Sequence, residues 1–326
     1  MVTILMLPLL AACLDGSSKA PPSDLQRLLH GTPPERCTSN PSALHATHAG
    51  FDCAADDGYR YHVDLPRSGQ YNSTVFVLHI VDDAQGLLAA NTDAGALADV
   101  LFILPEAKTW PIIGNLVTAQ LWNGSGMRHP FDNGCCVDTG LADRQFVAGL
   151  IEDATSALPG NDRYVIGLSN GGMLALDLLY NTRLDVTEYF VLVSSDQTNT
   201  WTVREPKASV TLVGVHDDEV IPFFGGPIDA TEYIGHINAD NPYVEAPPYA
   251  TTLARLIDGL ACESEPASVV VSPWAQGIIT ERACHHGSLN SFELAQGGHR
   301  LGSEDFTAET PQRRDVIGYM LRRMGR

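Results

Sequence analysis

Gly167-Leu168-Ser169-Asn170-Gly171 has the form G-x-S-x-G, a spacing that can turn a serine into a nucleophile. The motif is short, so its surroundings decide its meaning. A β-branched run precedes it at 163–166, and GGMLALDLLY, with helical composition, follows at 171–180. A serine on a sharp strand-to-helix turn needs small residues two before and two after it. Gly167 and Gly171 supply them, and Gly172 adds room. The turn also sets the serine at a helix N-terminus, where N–H groups and the dipole favour a developing oxyanion.

A serine hydroxyl needs a base, and the base needs an orienting carboxylate. Eleven histidines compete for the first role. His299 follows the strand-like Phe292-Glu293-Leu294 and the flexible Gly297-Gly298, and a helix is expected after it. His216 sits too close to an acidic loop, and His285-His286 precede the last strand. Spacing therefore singles out His299. For the carboxylate, the strand at 210–215 runs into His216-Asp217-Asp218-Glu219-Val220-Ile221-Pro222. Asp218 is the first choice; Asp217 and Glu219 stay open, and the two not used are expected to be solvated loop acids. The chain order serine, acid, histidine, each after a later strand, is that of α/β-hydrolases. In that arrangement one oxyanion donor is the backbone N–H of Asn170. The second comes from the loop after the strand ending Leu78-His79-Ile80, at Ile80 or Val81.

Positioning such residues requires alternating strands and helices, and the chain supplies them. Apolar β-branched runs at 74–80, 100–104, 163–166, 189–194 and 210–215 predict strands buried on both faces. Helical patterns lie at 86–98, 141–157, 171–180, 248–260 and 307–323. Residues 59–65 alternate and predict an antiparallel edge hairpin. The expected fold class is α/β, with a mostly parallel central sheet flanked by helices.

The block Trp122-Asn123, Cys135-Cys136, Asp143, Tyr164 to Met173, Asp218 to Pro222, then Cys262, Cys284 and Gly297-Gly298-His299 resembles the polyhydroxybutyrate depolymerase-like esterases. These secreted α/β-hydrolases also resemble feruloyl and acetylxylan esterases. The resemblance runs from about residue 58 to 324, and GLSNGGM is its most specific part. It implies hydrolysis of carboxylic esters, of poly- or oligo-3-hydroxybutyrate type, through an acyl-enzyme on Ser169. The alternatives are feruloyl or acetylxylan ester hydrolysis, or a peptidase of the same fold; a non-catalytic binding protein is the rival class. The resemblance also aligns Asp218, four residues before Pro222, with the family's acid. No metal or organic cofactor is required by this chemistry. Trp122, Phe131, Trp201, Phe223 and Phe224 are candidates to line the acyl site. The insertion at 225–248 and the His79-Ile80-Val81 loop depart from the family pattern.

The ends and the charge set the compartment and exclude partners. Residues 1–12 (MVTILMLPLLAA) are too short an apolar run to span a bilayer and fit a signal-peptide core. Leu10-Ala11-Ala12-Cys13 looks like a lipobox, so Cys13 is the expected lipid anchor of an exported lipoprotein, with a secreted protein as the other reading. Residues 13–29 read as a tether and 30–326 as one catalytic domain. Without Cys13, six cysteines remain, an even number that suits disulfides in an exported chain. Cys37–Cys53 and Cys262–Cys284 close short loops and are the favoured pairs, which leaves Cys135–Cys136 as a vicinal pair. No C-x-x-C or H-x-x-x-H spacing points to a metal site. A formal charge of −19 argues against nucleic acid and anionic lipid surfaces, so membrane contact is expected only through the anchor.

Overall fold

The computed structural model describes residues 23–41, 46–55, 58–78, 97–111, 118–120, 122, 141–196, 202–203, 205–228, 245–271, 277–299, 301 and 310–325. In chain order the strands are β1 (Cys37–Asn40), β2 (His48–Ala54), β3 (Arg60–Pro66), β4 (Ser73–Leu78), β5 (Val100–Glu106), β6 (Thr109–Pro111), β7 (Thr118–Gln120), β8 (Asp162–Leu168), β9 (Glu188–Leu192), β10 (Ser209–Val215), β11 (Gly226–Pro227), β12 (Glu245–Ala246), β13 (Ser268–Val271), β14 (Gly277–Cys284) and β15 (Gly287–Leu294). The helices are α1 (Asp24–Leu29), α2 (Leu141–Ala157), α3 (Asn170–Asn181), α4 (Tyr249–Gly259) and α5 (Pro311–Arg323).

Eleven strands form one sheet in the order β1-β2-β3-β5-β4-β8-β9-β10-β15-β14-β13. The run from β5 through β15 is parallel throughout. Antiparallel strands close both sides, β1 to β3 at one and β14 and β13 at the other. This is the α/β-hydrolase arrangement. Strand alternation splits the core in two, because successive side chains point to opposite faces. Phe76, Leu78, Val165, Val191 and Leu212 face one layer with α1, α2, α3 and α4. Val75, Val77, Ile166, Phe190 and Val213 face the other, where α5 packs through Val316 and Met320. Helix α3 is buried from Asn170 to Tyr180 and carries no solvent face; its buried Asp177 pairs with Arg144 at 2.9 Å.

The predicted strands and helices within the described residues are present, with ends shifted by a few residues. The helix expected at 86–98 lies outside the described residues except for 97 and 98, which form a turn. Two expectations need correction. Strand β3 is antiparallel to both neighbours, as expected of a hairpin, but it is not the edge: β2 pairs with its outer side, β1 covers β2, and its burial is nearly continuous. The tether does not extend to residue 29. Ser23 and Gln26 form a capping box, and Leu25, Leu28 and Leu29 of α1 are buried against the core. On the other side of the sheet, the β13–β14 hairpin adds an outer edge. Both favoured disulfides are formed: Cys37–Cys53 links β1 to β2, and Cys262–Cys284 links the segment after α4 to β14. Cys13 and Cys135–Cys136 lie outside the described residues. No helix among the described residues is long and apolar enough to cross a membrane.

Candidate active site

Ser169 stands between β8 and α3 with φ 52, a left-handed conformation that costs a non-glycine residue energy. The surroundings impose it. The Ser169 N–H donates to the Leu192 carbonyl at 2.9 Å. The Ser169 carbonyl accepts from the Gly172 and Met173 N–H groups and from the Ser194 hydroxyl, at 2.9, 3.1 and 2.7 Å. The flanking glycines are required by space. A Cβ on Gly167 would lie 2.5 Å from the Gly171 carbonyl oxygen, and one on Gly172 would lie 2.5 Å from the Ser194 Cβ.

The structure brings Ser169, His299 and Asp218 into one line. His299 Nε2 is 2.7 Å from Ser169 Oγ, and His299 Nδ1 is 3.0 Å from each oxygen of Asp218. All three side chains are buried. Asp218 Oδ1 also accepts from the Val220 and Ile221 N–H groups, both at 2.9 Å, which fixes the carboxylate's orientation. The ring is thereby held with one nitrogen on the acid and the other on the serine. That is the geometry in which an imidazole can take the serine proton.

Asp217 and Glu219 are exposed but are not idle solvated acids, which corrects the expectation. Asp217 Oδ1 accepts from the Gly298 N–H at 2.8 Å, and Glu219 Oε2 accepts from the His299 N–H at 3.1 Å. Three consecutive acids thus grip two consecutive residues, the middle one through the ring and the outer two through the backbone. Gly297 and Gly298 adopt φ 144 and 58, and a Cβ on Gly298 would lie 2.8 Å from Glu219 Oε2. Carboxylate-to-backbone bonds leave no sequence signature beyond the acids themselves.

Asn170 does more than present its backbone at the first turn of α3. Its Oδ1 accepts from the Trp122 N–H at 2.6 Å and its Nδ2 donates to the Trp122 carbonyl at 2.9 Å. The residue after the serine is so clamped to the segment following β7. Trp122 itself is 1% exposed and packs in the α2–α3 layer, so it offers no surface to an acyl group, contrary to expectation. Phe223 stacks on Tyr249 at 4.7 Å. It borders a small cleft with Val193, Ser194 and Asp218. Phe223 is half-buried, while Phe224 beside it is 74% exposed. Ile80, Val81, Phe131 and Trp201 lie outside the described residues.

No protein-family model matches the chain, and neither does any curated protein. Among solved structures, the chain is similar to SOBER1 of Arabidopsis thaliana, 13% identical over 78% of this chain and 99% of that one, with a TM-score of 0.47. It is similar to a carboxylesterase from Mesorhizobium loti, 13% identical over 87% and 99%, TM-score 0.45. It is also similar to an acetyl xylan esterase from Aspergillus awamori, 13% identical over 74% and 89%, TM-score 0.46.

Proposed function

We propose that this chain is a serine hydrolase of carboxylic esters, with Ser169 as nucleophile, His299 as general base and acid, and Asp218 as the orienting carboxylate. The observation that carries the reading is the buried line from Ser169 Oγ through His299 to Asp218, at 2.7 and 3.0 Å. It starts from a serine held in a left-handed conformation at a helix N-terminus. A serine with no reaction to perform gains nothing from that strain.

In the proposed reaction, His299 Nε2 takes the Ser169 proton as Oγ bonds to the ester carbonyl carbon. The carbonyl π pair moves to its oxygen, which the Asn170 N–H and a second donor at Ile80 or Val81 stabilise. Collapse breaks the bond to the alcohol oxygen, and His299 returns the proton to that leaving group. Water then adds to the acyl-serine, giving its proton to His299. Ser169 leaves with that proton and the carboxylic acid is released. Asp218 keeps Nδ1 protonated and stabilises the imidazolium in both halves.

For substrate, the motifs around Ser169 and His299 favour esters of 3-hydroxybutyrate in oligomeric or polymeric form. The two disulfides support an oxidising compartment, as export through residues 1–13 would provide. Hydrolysis of p-nitrophenyl acetate and butyrate, 3-hydroxybutyrate oligomers, methyl ferulate and a peptide panel tests the reading, with Ser169→Ala beside the native chain. Turnover of 3-hydroxybutyrate oligomers that vanishes in the variant is the expected result. Preference for methyl ferulate moves the substrate to plant-polysaccharide esters. Folded protein with no ester turnover overturns the esterase reading.

A further inference from the structure

We propose that Glu205, His285 and His286 form a binding site for one divalent transition-metal ion of the zinc type, at the end of the parallel strands opposite Ser169. One donor atom from each residue lies within 4.8 Å of the others. Two imidazoles and a carboxylate form a donor set for zinc, copper or nickel, whereas calcium and magnesium require mostly oxygen. Glu205 and His285 already meet, with Oε2 3.3 Å from Nδ1.

The two ligand-bearing segments are tied to one short segment, Gly259 to Ala261. The Glu205 N–H donates to the Gly259 carbonyl at 3.0 Å. The His285 N–H lies between the next two carbonyls, Leu260 and Ala261, at 3.3 and 3.2 Å. The following residue on one side and the preceding one on the other are joined by the Cys262–Cys284 disulfide. Two residues of this small region, Glu205 at φ 55 and Ala261 at φ 49, hold left-handed conformations. Such strain persists where surrounding structure over-determines it, and it gathers at ligand sites. The His285 and His286 rings stack at 4.2 Å and 12°. Parallel rings cannot both aim a lone pair at one ion, so binding turns one of them about its Cβ–Cγ bond. Neither imidazole is enclosed enough to prevent this. A cavity of about 210 Å³ borders Glu205, together with Asp185 and Lys207.

The site is remote from the serine. Glu205 precedes β10 and the histidine pair precedes β15, two parallel strands paired from Val210–Leu289 to Val215–Leu294. Asp218 and His299 follow the far ends of the same strands, and six strand residues span roughly 20 Å. An ion here joins the loop entering β10 to the β14–β15 turn and takes no part in acyl transfer.

The test is calorimetric titration of the chelator-stripped full chain with zinc at neutral pH, paired with thermal melting. One ion per chain and a raised Tm are expected. The double variant His285→Gln, His286→Gln is expected to lose that ion and the Tm rise while keeping its circular dichroism. Glu205→Gln, a single change on an exposed side chain, is expected to weaken binding and serves if the double variant does not fold. Zinc binding equal in the native chain and these variants overturns the proposal. So does the absence of zinc uptake by the native chain.

Discussion

The two ends of the parallel strands are built on opposite principles. At the C-terminal end, Ser169, Val193 and Leu301 take left-handed conformations, and buried polar groups converge on one hydroxyl. At the N-terminal end, beneath α5, polar groups are hydrogen-bonded to one another, with the Asn290 Oδ1 left over. Glu188 of β9 meets Thr211 of β10 at 2.6 Å and Arg323 of α5 at 3.0 Å, and Asn290 of β15 donates to the Thr211 hydroxyl at 3.2 Å. Burial raises the Glu188 carboxyl above its ordinary range, even though Thr211 and Arg323 pull it back. One end spends conformational energy to place a reactive group; the other binds helix α5 to three strands. The Glu205–His285 corner is the exception, because strain reappears there at the otherwise stabilising end.

If the comparison is right, substitutions at the first end remove turnover and leave stability, and those at the second do the reverse. Ser169→Ala is expected to lower kcat/KM by about 10⁴-fold or more with Tm unchanged, read by ester kinetics and calorimetry. Retained turnover would break the comparison outright. Asn170→Ala removes both bonds to the Trp122 backbone and lets the α3 start drift. Its kcat is expected to fall about 10²-fold with KM little changed. Arg323→Met is expected to cost about 2 kcal/mol in denaturant unfolding, because Glu188 loses its cation while Arg323 was itself partly exposed. Its kcat should match that of the native chain.

The smallest expected effect tests a third place, the β2–β3 pairing far from both ends. His62 Nδ1 is 2.7 Å from Asp52 and Nε2 is 3.0 Å from the buried Asp64. Burial alone would lower this imidazole, but the bonds to Asp64 and Asp52 outweigh it and raise it. A raised folded value means the stabilisation is complete below the unfolded value near pH 6.5 and is lost as pH climbs through the folded value. His62→Gln is expected to flatten the pH dependence of unfolding above about pH 6.5 and to cost about 1 kcal/mol at pH 6. An unchanged pH profile in the variant would remove His62 from the account.

What the sequence revealed follows from how local each signal is. Helix α3 and strand β8 were legible because continuous apolar runs flank a glycine-bounded serine. His299 was legible because glycines precede it and a strand precedes them. The disulfides were legible because each closes a short loop. Helix α1 is six residues long and sits beside a Pro/Ser-rich stretch, so its composition resembled a tether. Ser23 and Gln26, spaced as a capping box, were the signal that could have located it. Strand β13 exposes Val269, Val270 and Val271, and a run of valines facing solvent contradicts the usual pattern. The clamp between Asn170 and Trp122 was illegible for another reason. It uses the backbone of Trp122, so the identity of that side chain carries no trace of it.

The acid loop behaves as a ruler. Asp217, Asp218 and Glu219 address the Gly298 amide, the His299 ring and the His299 amide in turn. Each carboxylate reaches its own target only because of its place in the count. Chemistry at the outer two positions is therefore more forgiving than length: an amide at 217 or 219 still offers an oxygen to the same N–H. One added residue between Val215 and Val220 would shift every carboxylate off its target at once. Such an insertion would disable the histidine without touching it.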